Sequence, residues 1–266
     1  MAVVETDRTG QVFIVRMNRP ERLNALNTEM RQMLAEAWTE FRHSKELEVA
    51  IFTGTGRGFC AGEDMKESLA VGRPGGTRPP LADPFMDGTL EKPVIAAING
   101  FAMGGGFMLV ERADLRVAVP EALFEVSEAK RWLLGGYNHG HLANLPYPIA
   151  MEMALGFRFT AERFYQLGFL NRLAPPPELI PTAMTMAEHL LSLPPASRVN
   201  TVYMMRQMRP EPSPSHKALA AKLHDHGDKS DLMESRAAFS EKRKPNFKGW
   251  LDPQDRYRMP KLNDNT

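Results

Sequence analysis

Disulfide chemistry is the first thing this sequence lacks: Cys60 is its single cysteine, so no internal bridge can staple the fold. A dominant charge is missing too, because 33 Lys and Arg against 32 Asp and Glu leave a formal +1, which gives no reason to expect nucleic acid as a partner. The amino-terminal stretch has neither a basic n-region nor an apolar h-region, and with one cysteine this sets the expectation of a cytoplasmic or organelle-matrix setting. No uninterrupted apolar run is long enough to span a membrane. Pro93 to Val110 is uncharged and approaches the length of a membrane span, but Asn99 and four glycines break it into a strand, a turn and a helix start, so no membrane association is expected. No clear internal repeat excludes a solenoid.

What is there is an ordinary globular composition, 43% hydrophobic and 24% charged over 266 residues, with room for a sizeable core. Val12 to Val15, Val49 to Thr53, Val94 to Ile98 and Leu115 to Val119 read as strands. A helix starts near Asn27 or Thr28, with Met30, Met33, Leu34, Ala37, Trp38 and Phe41 at helical spacing on one face. Thr160 reads as the cap of a helix ending near Gly168, and another helix runs from about Pro181 to Leu191. Gly72 to Pro84 reads as a surface loop. After Pro194 the pattern is helical to Lys244, which divides the chain into 1–194 and 195–266, with a loosely held tail from Leu251 on.

Two glycine-bearing turns each follow an apolar strand: Phe59-Cys60-Ala61-Gly62-Glu63-Asp64 and Gly100-Phe101-Ala102-Met103-Gly104-Gly105-Gly106. Glycine lets backbone approach a ligand, and a helix beginning in the second turn aims unbonded N–H groups outward. Tight strand-to-helix packing explains the second turn equally well, and the G-x-G-x-x-G spacing of a dinucleotide loop is not evident.

Taken together and in order, these segments resemble the crotonase family, also called the enoyl-CoA hydratase and isomerase family. Asn18-Arg19-Pro20 with Leu23-Asn24-Ala25-Leu26-Asn27 is similar to its early CoA-binding segment, Ala61-Gly62-Glu63-Asp64 to its A-G-x-D turn, Pro93 to Gly100 with Gly104-Gly105-Gly106 to its strand and glycine turn, and Phe239-Ser240-Glu241-Lys242-Arg243-Lys244-Pro245 to its C-terminal helix ending. The resemblance implies an α/β fold, a spiral of ββα repeats with a C-terminal helical trimerisation region, assembled as a homotrimer or hexamer. It implies an acyl-CoA substrate, with coenzyme A part of that substrate, and no permanently bound cofactor or metal. The backbone N–H groups of Glu63 and Gly105 would hold the thioester oxygen, where charge collects when a proton leaves or joins the neighbouring carbon. CoA contacts would come from Ala25 and Leu26, for adenine, and from Lys66, Phe239 and Lys242.

The sequence departs from the family at one point of its chemistry. Hydratases of this kind carry two glutamates, one shortly after the glycine turn; here that position is Met108, which cannot transfer a proton, while Glu128 stands at the second. Glu128 is therefore the expected general base or acid. Glu63, Glu111 and the Tyr137-Asn138-His139 loop are the groups that could supply what Met108 lacks, although Arg112 beside Glu111 favours a structural ion pair there. Met108, Trp132 and Gly136 are expected to shape the acyl pocket, with Phe85, Met86 and Met103 as further candidates. One carboxylate over an oxyanion site suffices for double-bond isomerisation, whereas hydration also needs water positioned, so the expectation is an atypical hydratase or a double-bond isomerase, with the sequence leaning towards isomerisation. The competing reading is a catalytically silent CoA-thioester binder or assembly subunit.

Overall fold

The computed structural model describes residues 2–72, 81–131, 134–227 and 230–262. The chain opens with a hairpin, β1 (Val4–Thr9) and β2 (Val12–Met17), whose turn uses Gly10 at φ +56°. Asn27 then caps α1 (Thr28–His43), its side chain accepting from the Met30 N–H. Met30, Leu34, Ala37, Trp38 and Phe41 of the expected apolar face are buried, as is Ala35, while Met33 is half-buried. Beyond α1, the Lys92 ammonium bonds the carbonyls of Phe41, Ser44 and Leu47 at 2.8, 2.6 and 2.7 Å, so one cation satisfies acceptors that the helix end and its exit loop leave over.

Three successive strand pairs follow: β3 (Val49–Gly54) with β4 (Gly58–Cys60), β5 (Val94–Ile98) with β6 (Phe101–Met103), and β7 (Leu115–Ala118) with β8 (Leu123–Glu125). Helix α2 (Met65–Val71) follows the first pair, and α3 (Gly105–Arg112) follows β6. In each pair the first strand joins one sheet and the second joins another. With β9 (Arg158–Thr160) and β10 (Arg172–Leu173), the larger sheet has the order β1-β2-β3-β5-β7-β10, parallel from β2 onward, and the smaller has the order β4-β6-β8-β9. This is the expected ββα spiral. Strands buried on both faces, such as Val94–Ile98, read as continuous apolar runs for that reason. The uncharged stretch from Pro93 resolves into β5, β6 and the start of α3, and no helix among the described residues is long and apolar enough to cross a membrane.

The later elements are α4 (His139–Leu142), α5 (Tyr147–Ala154), β9 (Arg158–Thr160), α6 (Ala161–Gln166), β10 (Arg172–Leu173), α7 (Leu179–Ser192), α8 (Pro195–Gln207), α9 (Pro214–His224) and α10 (Ser230–Ser240). Thr160 caps α6 as expected, accepting from the Arg163 N–H, and Gly168 beyond it sits at φ +76°. Phe164 of α6 packs its ring on Phe124 and Phe159 at 5.0 and 4.6 Å.

The described residues fall into two compact units. Met1–Asp64, Gly75–Glu125 and Arg158–Arg209 make the first, and Met65–Pro74, Val126–Phe157 and Pro210–Thr266 the second. The boundary expected after residue 194 does not coincide with this division, because α8 belongs to the first unit. Arg198 of α8 pairs with Glu48, and Arg206 grips Asp114 through two bonds of 2.8 and 2.6 Å. Neither pairing has a local sequence signature.

In the second unit α10 packs on α2 and ends in a Schellman turn: Lys242 takes φ +56°, Arg243 N–H donates to the Ala238 carbonyl and Lys242 N–H to that of Phe239. The stretch from Arg243 to Gly249, ahead of the expected tail, is held by carboxylates of α10. Asp231 accepts from the N–H groups of Lys248 and Gly249, both at 2.8 Å, and Glu234 accepts from Asn246 N–H at 2.6 Å and from Arg243. The expected tail includes a 3-10 turn at Pro253–Tyr257, whose Asp255 carbonyl lies 2.9 Å from His226 Nε2.

The Arg243 guanidinium and the Asn246 N–H hold the Glu234 carboxyl down to about 2, from 4.5. A carboxyl with a depressed native pKa contributes stability above its unfolded value that is lost as pH falls through the native one. The grip on the 243–249 segment is therefore expected to be complete at neutral pH and to weaken as pH falls from about 4.5 towards 2. The protection factor of the Asn246 amide in hydrogen exchange should fall over that window, and Glu234→Gln should flatten the dependence.

Candidate active site

In the first unit the early segment and the A-G-x-D turn are built against each other. Asn24, fully buried at φ +55°, donates from Nδ2 to the carbonyls of Thr55 and Gly58 at 3.0 and 2.9 Å and accepts Arg19 N–H at 2.8 Å. Arg19 in turn bonds Asp64 Oδ2 at 2.7 Å and the Ala25 carbonyl at 3.0 Å. Leu26 N–H donates to the Gly62 carbonyl and Asp64 N–H to the Leu26 carbonyl, a parallel bridge between Leu26 and Glu63. In such a bridge the polar groups of the central residue face away from its partner. The Glu63 N–H is thereby aimed away from Leu26.

The second turn closes on the first. Gly62 sits at φ +86°, and a Cβ there would lie 2.5 Å from the Met103 carbonyl oxygen and 3.2 Å from the Gly105 nitrogen. A Cβ on Gly105 would lie 3.9 Å from the Glu63 nitrogen, and one on Gly106 would lie 2.3 Å from the Cys60 carbonyl oxygen. The two turns thus meet backbone to backbone, with the nitrogens of Glu63 and Gly105 close together. Gly105 is the first residue of α3, so its N–H is one of those a helix start leaves without an intrahelical acceptor. Cys60 is not a nucleophile candidate, because full burial pushes its thiol up to about 12.

A cavity of about 410 Å³ adjoins Gly105 in the first unit. Leu26, Leu34, Met86 and Met108 give it apolar walls, and Arg31 and Arg112 add charge. Burial pushes the Asp83 carboxyl on its rim upward, against the Met86 and Phe85 N–H groups that it accepts. Phe85 does not line this cavity; it is core, stacked on Trp38 at 4.7 Å. Glu111 is buried one turn beyond Met108, its carbonyl accepting from Arg116 at 2.8 Å. Sequence reasoning missed Arg31 and Arg112. The signal for Arg31 was available, since it precedes Leu34 by one helical turn on the face that includes the cavity wall.

The second unit brings Glu128 and His139 together. Glu128 Oε1 lies 3.7 Å from His139 Nε2, and the two side chains are 12% and 8% exposed. Glu128 Oε2 is buried and, among the described residues, has no hydrogen-bond partner. Gly136 lies under this carboxylate: a Cβ there would come within 3.5 Å of Glu128 Cβ and 3.2 Å of Val126 Cγ1. Tyr137 is part-exposed and lines a different cavity with Tyr147 and Met151, and the Asn138 Oδ1 is buried. Trp132 lies outside the described residues, as do residues 73–80 of the expected loop.

Of the residues expected at CoA, Ala25 and Leu26 are buried and their N–H groups already donate to the carbonyls of Arg22 and Gly62. Only carbonyl lone pairs remain there for a base. Lys66 is exposed on α2, Phe239 is exposed with the Arg131 guanidinium 4.3 Å over its ring, and Lys242 is exposed in the Schellman turn. Among the described residues no group of three or more His, Cys, Asp or Glu side chains is placed to hold a metal ion.

Comparison with known proteins gives this geometry a family. The chain is 32% identical to enoyl-CoA hydratase EchA19 of Mycobacterium tuberculosis, over 93% of this chain and 99% of the relative. It is 33% identical to (E)-benzylidenesuccinyl-CoA hydratase of Thauera aromatica, over 92% and 99%. The crystal structure of carnitinyl-CoA hydratase from Mycobacterium avium superposes with a TM-score of 0.79 at 26% identity, covering 93% of this chain and 99% of that one. With residues 7–250 also matching the enoyl-CoA hydratase/isomerase family model, the paired glycine turns and the spiral that holds them have a single origin, and this chain belongs to the enoyl-CoA hydratase/isomerase family.

Proposed function

We propose that this protein hydrates the double bond of an enoyl-CoA thioester, or runs the reverse dehydration, with Glu128 as the proton-transferring group and the N–H groups of Glu63 and Gly105 as the oxyanion donors. The observation that carries the reading is the approach of those two nitrogens, in which Gly62 leaves no room for a side chain beside Gly105. In the forward direction Glu128 takes a proton from water as the water oxygen bonds to the β carbon. The double-bond electrons move onto the thioester oxygen, and the α carbon then takes the proton back from Glu128. Negative charge peaks on the thioester oxygen, where two prealigned donors at a helix start are most effective. Hydration is favoured over isomerisation because a second polar group, His139, stands beside Glu128, and because the relatives compared above are hydratases. Coenzyme A enters as part of the substrate.

A second reading, a thioester binder without turnover, is favoured by Met108 alone, which puts a thioether on the cavity beside Gly105. Deuterium exchange at the α carbon of saturated acyl-CoA esters separates the two. The catalytic reading expects exchange, reduced roughly 10²–10⁴-fold in Glu128→Gln; binding without exchange in the parent supports the silent binder. Water addition and double-bond movement, followed separately across linear, branched and cyclic enoyl-CoA esters, then identify the reaction.

Gly105→Pro tests the donors. Proline is compatible with the first position of a helix, so α3 should persist, but the N–H is gone. Turnover should fall about 10²–10³-fold, the loss expected for one oxyanion donor. Gly105→Ala, whose Cβ is tight only against the flexible Leu26 Cδ1 at 3.2 Å and makes ordinary contact with Gly62 Cα and the Glu63 nitrogen, should stay near the parent.

Assembly as a homotrimer or hexamer belongs to the same proposal. It is supported by Tyr203, Met204, Met205 and Met208 of the α8 region, each more than half exposed. Sedimentation should give a mass of three or six chains, and a monomer would remove this part of the proposal.

A further inference from the structure

We propose that His139 is a positioning residue for Glu128: its imidazole occupies one carboxylate oxygen, Oε1, and so leaves Oε2 as the atom that exchanges protons. The inference rests on the assignment of proton transfer to Glu128. It starts from an asymmetry. The Nε2 of His139 lies 3.7 Å from Oε1, an ion-pair separation that is long for a hydrogen bond, while Oε2 is buried and has no partner among the described residues. A carboxylate held purely for structure would have donors on both oxygens, because a buried acceptor without one is destabilising. One oxygen facing an imidazole and the other buried without a donor is the arrangement of a group whose second oxygen awaits a partner from a ligand. Catalytic contacts of this kind are commonly loose without substrate and tighten with it.

The backbone shows that His139 is placed rather than incidental. Its neighbour Gly140 is packed so closely on α5 that a Cβ would lie 2.4 Å from that of Ala150, which fixes the chain at the start of α4. On the other side, Gly136 sits between Val126 and the Ala154 carbonyl, where a Cβ would lie 3.2 and 3.3 Å from Val126 Cγ1 and that oxygen, and it is in ordinary contact range of Glu128 Cβ. Two close-packed glycines therefore flank His139 in the chain. His139 itself is 7% exposed, so solvent does not compete for the contact.

The test is a mutant cycle on the full chain, read by α-carbon deuterium exchange with butyryl-, octanoyl- and phenylpropanoyl-CoA, using whichever the parent exchanges fastest. His139→Leu should lower kcat by roughly 30-fold or more and leave KM within about 3-fold, since it acts on proton transfer and not on binding. His139→Gln, which can return an N–H to Oε1, should recover to within about 5-fold of the parent. In a Glu128→Gln background, His139→Leu should change the residual rate by less than about 2-fold, because a residue acting through Glu128 has nothing left to act on. Full activity in His139→Leu, a loss that His139→Gln shares in full, or an undiminished loss in the Glu128→Gln background would each overturn the inference while leaving the proposed function standing. Absence of exchange by the parent with all three thioesters would overturn that function and the inference with it. Should His139→Leu fail to fold, His139→Asn, whose shorter amide stops short of Glu128, takes its place with the same expectations.

Discussion

The contact on which the site depends is a backbone-to-backbone meeting of two turns that admits no β-carbon. Gly62 faces the Met103 carbonyl and Gly106 faces that of Cys60, at separations where an alanine would clash with main chain and not with a yielding side chain. Main chain cannot step aside without moving the strand that carries it. Because β4 and β6 are parallel neighbours in the smaller sheet, the same pairing that closes the sheet sets the two turns side by side. The two nitrogens inherit their spacing from sheet geometry, which is why a site of this kind can be rigid before any ligand arrives.

A second layer keeps the first turn from twisting. Arg19, Asn24 and Asp64 come from two segments far apart in sequence, and their bonds tie the loop before α1 to the residues following β4. Asn24 is fully buried in a left-handed conformation, a combination with little to offer a fold except at a place where its amide satisfies several backbone groups at once. Here it does so for two carbonyls and one N–H. The consequence reaches the Leu26–Glu63 bridge, whose pattern decides which way the Glu63 N–H faces. Side-chain chemistry at Arg19 and Asp64 is thus spent on orienting a main-chain donor.

Local signals were legible in the sequence wherever a short-range interaction decides the structure. The Asn27 and Thr160 caps, the apolar strand runs and the glycine turns each depend on neighbours a few residues away, and each is found in its expected place. Long-range choices were not. That α8 joins the first unit turns on Arg198 meeting Glu48 and Arg206 meeting Asp114, and nothing near either arginine announces its partner. The segment between α10 and the expected tail carries no apolar periodicity; Asn246, Lys248 and Gly249 are held by Glu234 and Asp231 through main-chain N–H groups, which no side-chain pattern reveals. Ala25 and Leu26 carry the same lesson for the site. Their position in a family motif is plain, yet only the hydrogen bonds show that both N–H groups are already engaged.

Met108 makes sense when the charges are considered together. A carboxylate at that position would stand on the cavity beside Gly105, where a thioester oxyanion is proposed to form, and like charges oppose each other. A thioether brings no such opposition and still fills the wall. What it gives up is a second proton carrier. On the proposed reading that work falls to Glu128 alone, and a single carboxylate must both accept a proton from water and return it to carbon. Such a group needs one defined reacting oxygen more than it needs a second acid. An imidazole facing the other oxygen meets that need without adding a second negative charge beside Glu128.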